Sequence, residues 1–360
     1  MTEELSFEER AARVRSILAA ARRLADARDP LGQEARARLP AVTGLSEAGV
    51  ELALSRHLET NVSPADLERL IARAGSAPRV HVVLSANVFA GAVRAIAFAS
   101  VTAPSVIVRA STRETVMAPL LRRALREADD RFDFDLSSTL AAKPGDEVHV
   151  YGRRETIDAV GAAMPRGVRI RAHGPGIGIA VIDAHGGVPP FAAELLSWDV
   201  VAFDQRGCLS PRLAFVAGSA DEVDAFAVGV SEALERRERE VPRGLISADE
   251  RSEQTLYRNT MTAIGKFYAG SSFSVGVDLA PRGVPLPPSG RNLHVARVVD
   301  SDDLIRLLAP LRASITCVGH VAPGALAVHA IALACGARSL PLGSMQTPPL
   351  DGPVDLREMV

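Results

Sequence analysis

Short apolar runs rich in valine and isoleucine alternate with helical patterns along most of this chain, and that alternation is what most restricts its fold. Val80-His81-Val82-Val83-Leu84 is one such run, closed by Ser85-Ala86-Asn87. A small-residue helical stretch follows over residues 91–102, and then a second buried run, Ser105-Val106-Ile107-Val108-Arg109. Residues 112–127 and 156–163 have helical patterns, while 147–151, 169–171 and 177–182 have strand patterns. Strands that alternate with helices form parallel βαβ units, so a Rossmann-like sheet is expected.

Beyond Phe191 a second α/β pattern begins. An apolar segment, 200–203, leads into a polar turn over 204–211 and a strand over 213–217. Helices are expected at 222–239, 301–311 and 325–335, and strands at 293–299, 314–318 and 339–342. Residues 281–290 are rich in proline and glycine and read as a surface connection. Before residue 75 the pattern is helical throughout. Ser63-Pro64-Ala65-Asp66 marks one helix start: serine caps, proline suits the first position, and aspartate favours the positive end. The expected organisation is an N-terminal helical region over 1–78, a first lobe over 79–190, a second over 191–340, and a tail over 341–360. A length of 360 residues suits two such lobes.

Net charge is −2, which gives no basic footprint for nucleic acid or an anionic membrane. No apolar run reaches membrane-spanning length, and the start, MTEELSFEER, is too polar and acidic for a secretory signal. A soluble, cytoplasmic protein is expected. Its three cysteines, Cys208, Cys317 and Cys335, are too few and too scattered for a disulfide framework or a zinc site. Cys317 and Cys335 read as core, and no metal is expected.

Cys208 stands apart. It lies in Phe203-Asp204-Gln205-Arg206-Gly207-Cys208-Leu209-Ser210-Pro211-Arg212, a tight polar turn between an apolar segment and a strand. The thiolate is the nucleophilic form of cysteine, and Arg206 and Arg212 could supply the positive charge that favours it. A buried, inert cysteine is the commoner fate of a lone one, and the turn alone leaves both readings open.

The same segment resembles the DQ-x-x-C-x-SP motif of LuxC-type acyl-CoA reductases, in the aldehyde dehydrogenase superfamily. Other stretches share the likeness: Asn87 after the first strand, Arg109-Ala110-Ser111-Thr112 after the second, and Val148-His149-Val150-Tyr151-Gly152. So does the end of the sequence, from Gly336-Ala337-Arg338-Ser339-Leu340-Pro341-Leu342-Gly343-Ser344-Met345 through Pro348 to Asp351-Gly352. The resemblance implies an aldehyde dehydrogenase-like fold: two Rossmann-like lobes with an N-terminal helical region, the first binding a nicotinamide cofactor and the second presenting the cysteine, with the site in the cleft between them.

It also implies a chemistry. Cys208 would attack an activated acyl group, either acyl-CoA or acyl carried on a protein partner. The Cys208 backbone N–H and the Asn87 amide would stabilise the oxyanion, and a nicotinamide would reduce the thioester to an aldehyde. The competing reading of Asn87 is a helix N-cap. Arg109, Ser111, Arg113 and Gly152 are the candidate cofactor residues. Positive charge at Arg109 and Arg113 suits a 2′-phosphate, hence NADPH, with NADH as the alternative; Arg113 as a solvated helix residue is the bland reading. Gln205, His173 and Arg291 are further site candidates. Residues 171–176, where hydrolytic relatives carry a glutamate, hold no carboxylate, which favours acyl reduction over oxidation to acid. Acyl-phosphate reduction and a non-catalytic acyl-binding relative are the rival functions, and a homo-oligomer is expected.

Overall fold

The computed structural model describes residues 5–129, 131–321 and 328–357. These residues form two compact units: those within 5–175 together with 349–354, and those within 176–348 together with 355–357.

The first unit is built on a five-stranded parallel sheet of order β3-β2-β1-β4-β5. Its strands are β1 (Arg79–Val83), β2 (Ser105–Arg109), β3 (Asp135–Leu136), β4 (Glu147–Tyr151) and β5 (Arg169–His173). The N-terminal helices Phe7–Ala25, Pro30–Thr43, Glu47–Leu52 and Pro64–Ala74 belong to this unit and make no separate body. Ser63 accepts a hydrogen bond from the Asp66 N–H at 3.1 Å, the cap that Ser-Pro-Ala-Asp foretells. Helix Gly91–Thr102 is buried along nearly its whole length, packed on the sheet and on the N-terminal helices.

The second unit holds a seven-stranded sheet of order β12-β11-β6-β7-β10-β9-β8. Its strands are β6 (Ile177–Asp183), β7 (Pro211–Ala217), β8 (Lys266–Ala269), β9 (Ser274–Asp278), β10 (Asn292–Val298), β11 (Ile315–His320) and β12 (Arg338–Pro341). All neighbours run parallel except β8 and β9. Ile179, Val181, Leu213, Phe215, Val298 and Val318 are among the residues that fill its core.

The structure departs from the sequence reading in three places, and a fourth expectation falls partly outside the described residues. Residues 177–183, grouped there with the first lobe, form a central strand of the second sheet, bonded to β7 and β11, so the units divide at 175/176. Helix Met117–Glu127 begins five residues later than its pattern suggests, because buried Glu114 accepts the N–H groups of Val116 and Met117 and starts it there. Strands β8 and β9 fall in a stretch with no clear strand pattern. The helix expected over 325–335 is described as Val328–Cys335, and residues 325–327 lie outside the described residues.

Candidate active site

In the first unit, β1 has β2 and β3 on one side and β4 and β5 on the other. The strand order reverses between β1 and β4, and open parallel sheets bind ligands at the carboxyl ends flanking such a reversal. Asn87 follows β1, Arg109 ends β2, Gly152 follows β4 and His173 ends β5. The residues singled out in this unit from the sequence therefore gather on one edge of one sheet.

Their contacts refine the expectations. Asn87 is exposed and caps no helix; the residue before Gly91 is Ala90, with no side-chain cap. Its Oδ1 instead accepts a hydrogen bond from the Arg113 guanidinium at 3.2 Å. Arg113 lies in the irregular segment before the helix, exposed, with its N–H donated to Ser111 Oγ at 3.3 Å. It is not a solvated helix residue. The Gly152 N–H is donated to the His173 carbonyl at 3.2 Å, so that amide serves the sheet and not a phosphate. His173 is in a strand and not a turn, and its ring stacks on Tyr151 at 4.3 Å between centroids.

At the opposite, amino end of the same sheet an ionic cluster forms around buried Glu147. Glu147 accepts from His149 at 3.1 Å and from Arg169 at 3.0 Å, and Arg171 also reaches its carboxylate. Burial alone would raise the Glu147 carboxyl. The hydrogen bond and charge of His149 and the charges of Arg171 and Arg169 outweigh it and hold the group well below the usual range. Burial pushes the His149 imidazole below its ordinary value, against the opposing pull of Glu147.

In the second unit Cys208 sits at the amino ends of β6, β7 and β11, half-buried. Thr316 ties that turn down: its hydroxyl donates to the Ile177 carbonyl at 3.1 Å and also contacts the Cys208 carbonyl. A Cβ on Gly178 would lie 2.2 Å from the Leu209 carbonyl oxygen, so the turn and β6 meet at a spacing that only glycine permits.

The residues before Cys208 are strained. Phe203, Asp204 and Gln205 have φ of 53°, 50° and 63°, three successive non-glycine residues in the left-handed region. Side chains hold them there. Asp204 binds Arg291 at 2.7 Å and accepts from the Gly244 N–H at 3.0 Å. Gln205 donates to the carbonyls of Pro211 and Asn292 at 2.7 and 2.8 Å and accepts from the Asn292 N–H at 2.9 Å. Both amide hydrogens of Gln205 are thus spent on the scaffold. Arg291 is 1% exposed and also binds Glu238 and the Val241 carbonyl. In the structure these two candidates build the turn.

Arg206 and Arg212 do not supply the charge expected of them. Arg206 donates to the Leu245 carbonyl at 2.7 Å and Arg212 to that of Pro287. The charges acting on Cys208 come from Asp355, Arg357 and Arg338. Burial pushes the thiol up to about 11; Asp355 adds to the rise, and Arg357 and Arg338 oppose it. Buried Cys317 is likewise raised by burial, as is half-buried Cys335. Thr316, Asp355 and Arg357 carry no local sequence signal that sets them beside a cysteine more than a hundred positions away; only the fold brings them there. Among the described residues no group of His, Cys, Asp and Glu is arranged to hold a metal ion, and no helix is long and apolar enough to cross a membrane.

The fold is that of solved aldehyde dehydrogenases. The aldehyde dehydrogenase KauB from Pseudomonas aeruginosa superposes with a TM-score of 0.71 at 15% identity, over 95% of this chain and 77% of that one. The indole-3-acetaldehyde dehydrogenase AldA from P. syringae, solved with NAD+, gives 0.67 at 14% identity over 95% and 77%. An NAD-dependent aldehyde dehydrogenase from Sinorhizobium meliloti gives 0.65 at 14% over 92% and 74%. No curated protein matches the chain in sequence. Residues 55–360 match the family described as acyl-CoA reductase (LuxC). The chain belongs to that family, and it is an oxidoreductase acting on acyl and aldehyde groups.

Proposed function

We propose that this protein reduces an activated acyl group, on coenzyme A or on a protein partner, to an aldehyde through a thioester on Cys208, with NADPH as the reductant. The observation that carries the reading is the Cys208 turn, strained before the cysteine and pinned by Thr316 after it. Strain of that kind persists where the surroundings over-determine it, and it gathers at reactive sites.

Cys208 Sγ attacks the acyl carbon, the donor thiolate leaves with the proton that Cys208 gives up, and the acyl group becomes a thioester of the enzyme. Proton and leaving group balance, so a thiol that is protonated at neutral pH can still serve. The Cys208 N–H is one proposed donor to the oxyanion. The Asn87 amide is the other, since Arg113 engages its Oδ1 and leaves its N–H pair for a ligand. Residues 171–176 offer no carboxylate to activate water, so the thioester resists hydrolysis.

The carboxyl edge of the first sheet fits an anionic dinucleotide: it sits at the reversal of strand order and carries Arg109 and exposed Arg113. Arg113 and Ser111 would hold the ribose end, and a guanidinium there favours a 2′-phosphate. When bound, the nicotinamide supplies the hydride that takes the acyl carbon to the aldehyde level.

The test is incubation with a panel of acyl-CoAs, first without cofactor. Mass spectrometry should find one acyl adduct per chain, on Cys208, which persists until NADPH is added and then leaves as aldehyde. Near-normal turnover by Cys208→Ser would sink the mechanism, and rapid release of free acid without cofactor would sink the assignment to reduction.

A further inference from the structure

Asp355 and Arg357 form a two-pronged ion pair, at 2.8 and 2.6 Å, with side chains only 4% and 8% exposed. The Arg357 N–H also donates to the same carboxylate, at 3.0 Å. Residues 355–357 group with the second unit, and its structure fixes the guanidinium on several sides. The Ala313 carbonyl accepts from it at 2.5 Å. A Cβ on Gly176 would lie 3.2 Å from its Nη2 and 2.2 Å from Thr316 Cγ2, so Arg357 and Thr316 close on the same glycine. Thr316 is the residue bonded to the Cys208 carbonyl. Gly336, with φ of 64°, passes 3.6 Å from the Arg357 Cα by the same measure. Nothing proposed above for acyl transfer employs this pair. Charges this deeply buried are screened weakly by salt, so they act on a neighbouring thiol at close to full strength.

We propose that Asp355 and Arg357 are opposed positioning residues that set the reactivity of Cys208: Arg357 stabilises the thiolate, and Asp355 restrains it. The proposal rests on Cys208 being the nucleophile. It replaces Arg206 and Arg212, which adjoin the cysteine in sequence, with a pair that adjoins it in the fold. The other charged and titratable groups acting there are Arg338, on β12, and Cys317, on β11. Arg338 adds positive charge in all forms of the protein, and Cys317 stays neutral because burial raises it. Asp355 and Arg357 are therefore the groups whose removal shifts the balance in opposite directions.

The experiment follows alkylation of Cys208 by iodoacetamide against pH, with the adduct located by mass spectrometry in the full-length protein. Arg357→Ala leaves Asp355 unopposed and should move the profile to higher pH. Asp355→Asn frees Arg357 and should move it to lower pH. An adjacent charge shifts a titration by about one unit or more, which changes the thiolate fraction about tenfold. Lower intrinsic nucleophilicity of the more acidic thiolate offsets part of this, leaving about threefold in rate at pH 8. Arg357→Lys keeps the charge and should restore most of the parent profile. A purely structural role would slow or speed labelling without moving its pH midpoint, and would not give opposite signs. Coincident profiles in the two variants, shifts of the same sign, or no labelling of Cys208 at any pH would overturn the proposal. Failure of the nucleophile reading looks different: Cys208→Ser would keep its reductase activity while the alkylation profiles still diverged.

Discussion

Asp204 and Arg291 both adopt left-handed backbone conformations and face each other across a buried ion pair of 2.7 Å. Each residue needs outside support to hold its φ, and each is the other's support. The Gly290 N–H adds a bond to the Asp204 carbonyl at 3.1 Å, so the two strained segments are clipped through main chain as well as side chain. The segment that leads into Cys208 and the one that leads into β10 are thus one construction.

Removing Arg291 should unmake it. Arg291→Ala strands the Asp204 carboxylate in the interior, at a cost of about 3–5 kcal/mol. The measurement is the midpoint of denaturant unfolding. Arg291→Lys should recover only part, because a single ammonium cannot reproduce the bonds that the guanidinium makes at once to Asp204, Glu238 and Val241. A loss below about 1 kcal/mol in the alanine variant would mean that the pair does not hold the turn.

Gly178→Ala should separate folding from acylation. The added methyl meets the Leu209 carbonyl and the Met345 side chain, and the turn is the part able to move. A stability loss of about 1–3 kcal/mol is expected from overpacking. Acyl transfer to Cys208 in single-turnover measurements should fall by more than that loss explains. Unaltered acylation in a folded variant would show that the turn tolerates displacement.

Acid should weaken the second unit through His294. Burial holds this imidazole down at about 4, and its Nδ1 lies 3.1 Å from the Tyr257 hydroxyl. Because the folded value lies below the unfolded one, near 6.5, the neutral ring contributes its full share of stability above pH 6.5. That share is lost as the pH falls toward 4. Between pH 7 and pH 5 it amounts to about 2 kcal/mol. Thermal unfolding at the two values should show a drop that His294→Gln reduces. An equal drop in the variant would assign the acid sensitivity to other groups.

Arg113→Ala should weaken NADPH more than NADH, by about 1–3 kcal/mol, if its guanidinium meets the 2′-phosphate. Fluorescence titration of both cofactors gives the comparison. Because the side chain is exposed, the thermal midpoint should hardly change. Equal weakening of both cofactors would leave Arg113 with its one observed duty, the bond to Asn87.

The parts of this structure that were legible in the sequence are those written in local pattern. Valine-rich runs marked β1, β2 and β4, and Ser63-Pro64 marked a helix start, since each depends on residues within a few positions of one another. Cys208 was legible as a turn cysteine for the same reason. Its electrostatics were not: Arg206 and Arg212 are near in sequence but turned to the carbonyls of Leu245 and Pro287. Gln205 and Arg291 stand out through the family resemblance, which does not tell a polar side chain that builds a buried turn from one that meets a ligand. The start of helix Met117–Glu127 was misplaced because Glu114 acts as its cap through burial, which no local pattern reports. Strand β6 pairs with β7 and β11 and not with the first sheet that precedes it in sequence, because a strand's own residues do not say which sheet it joins.

The left-handed run before Cys208 also has a consequence in time. The groups that hold Asp204 and Gln205 in place come from Gly244, Arg291 and Asn292, all later in the chain. During synthesis, a chain that has emerged as far as β7 already carries the cysteine but lacks what aims it. The cysteine is therefore made early and its turn is set late, only after β10 has docked beside β7, so a truncated or half-folded chain carries the thiol without the turn that the proposed reaction requires.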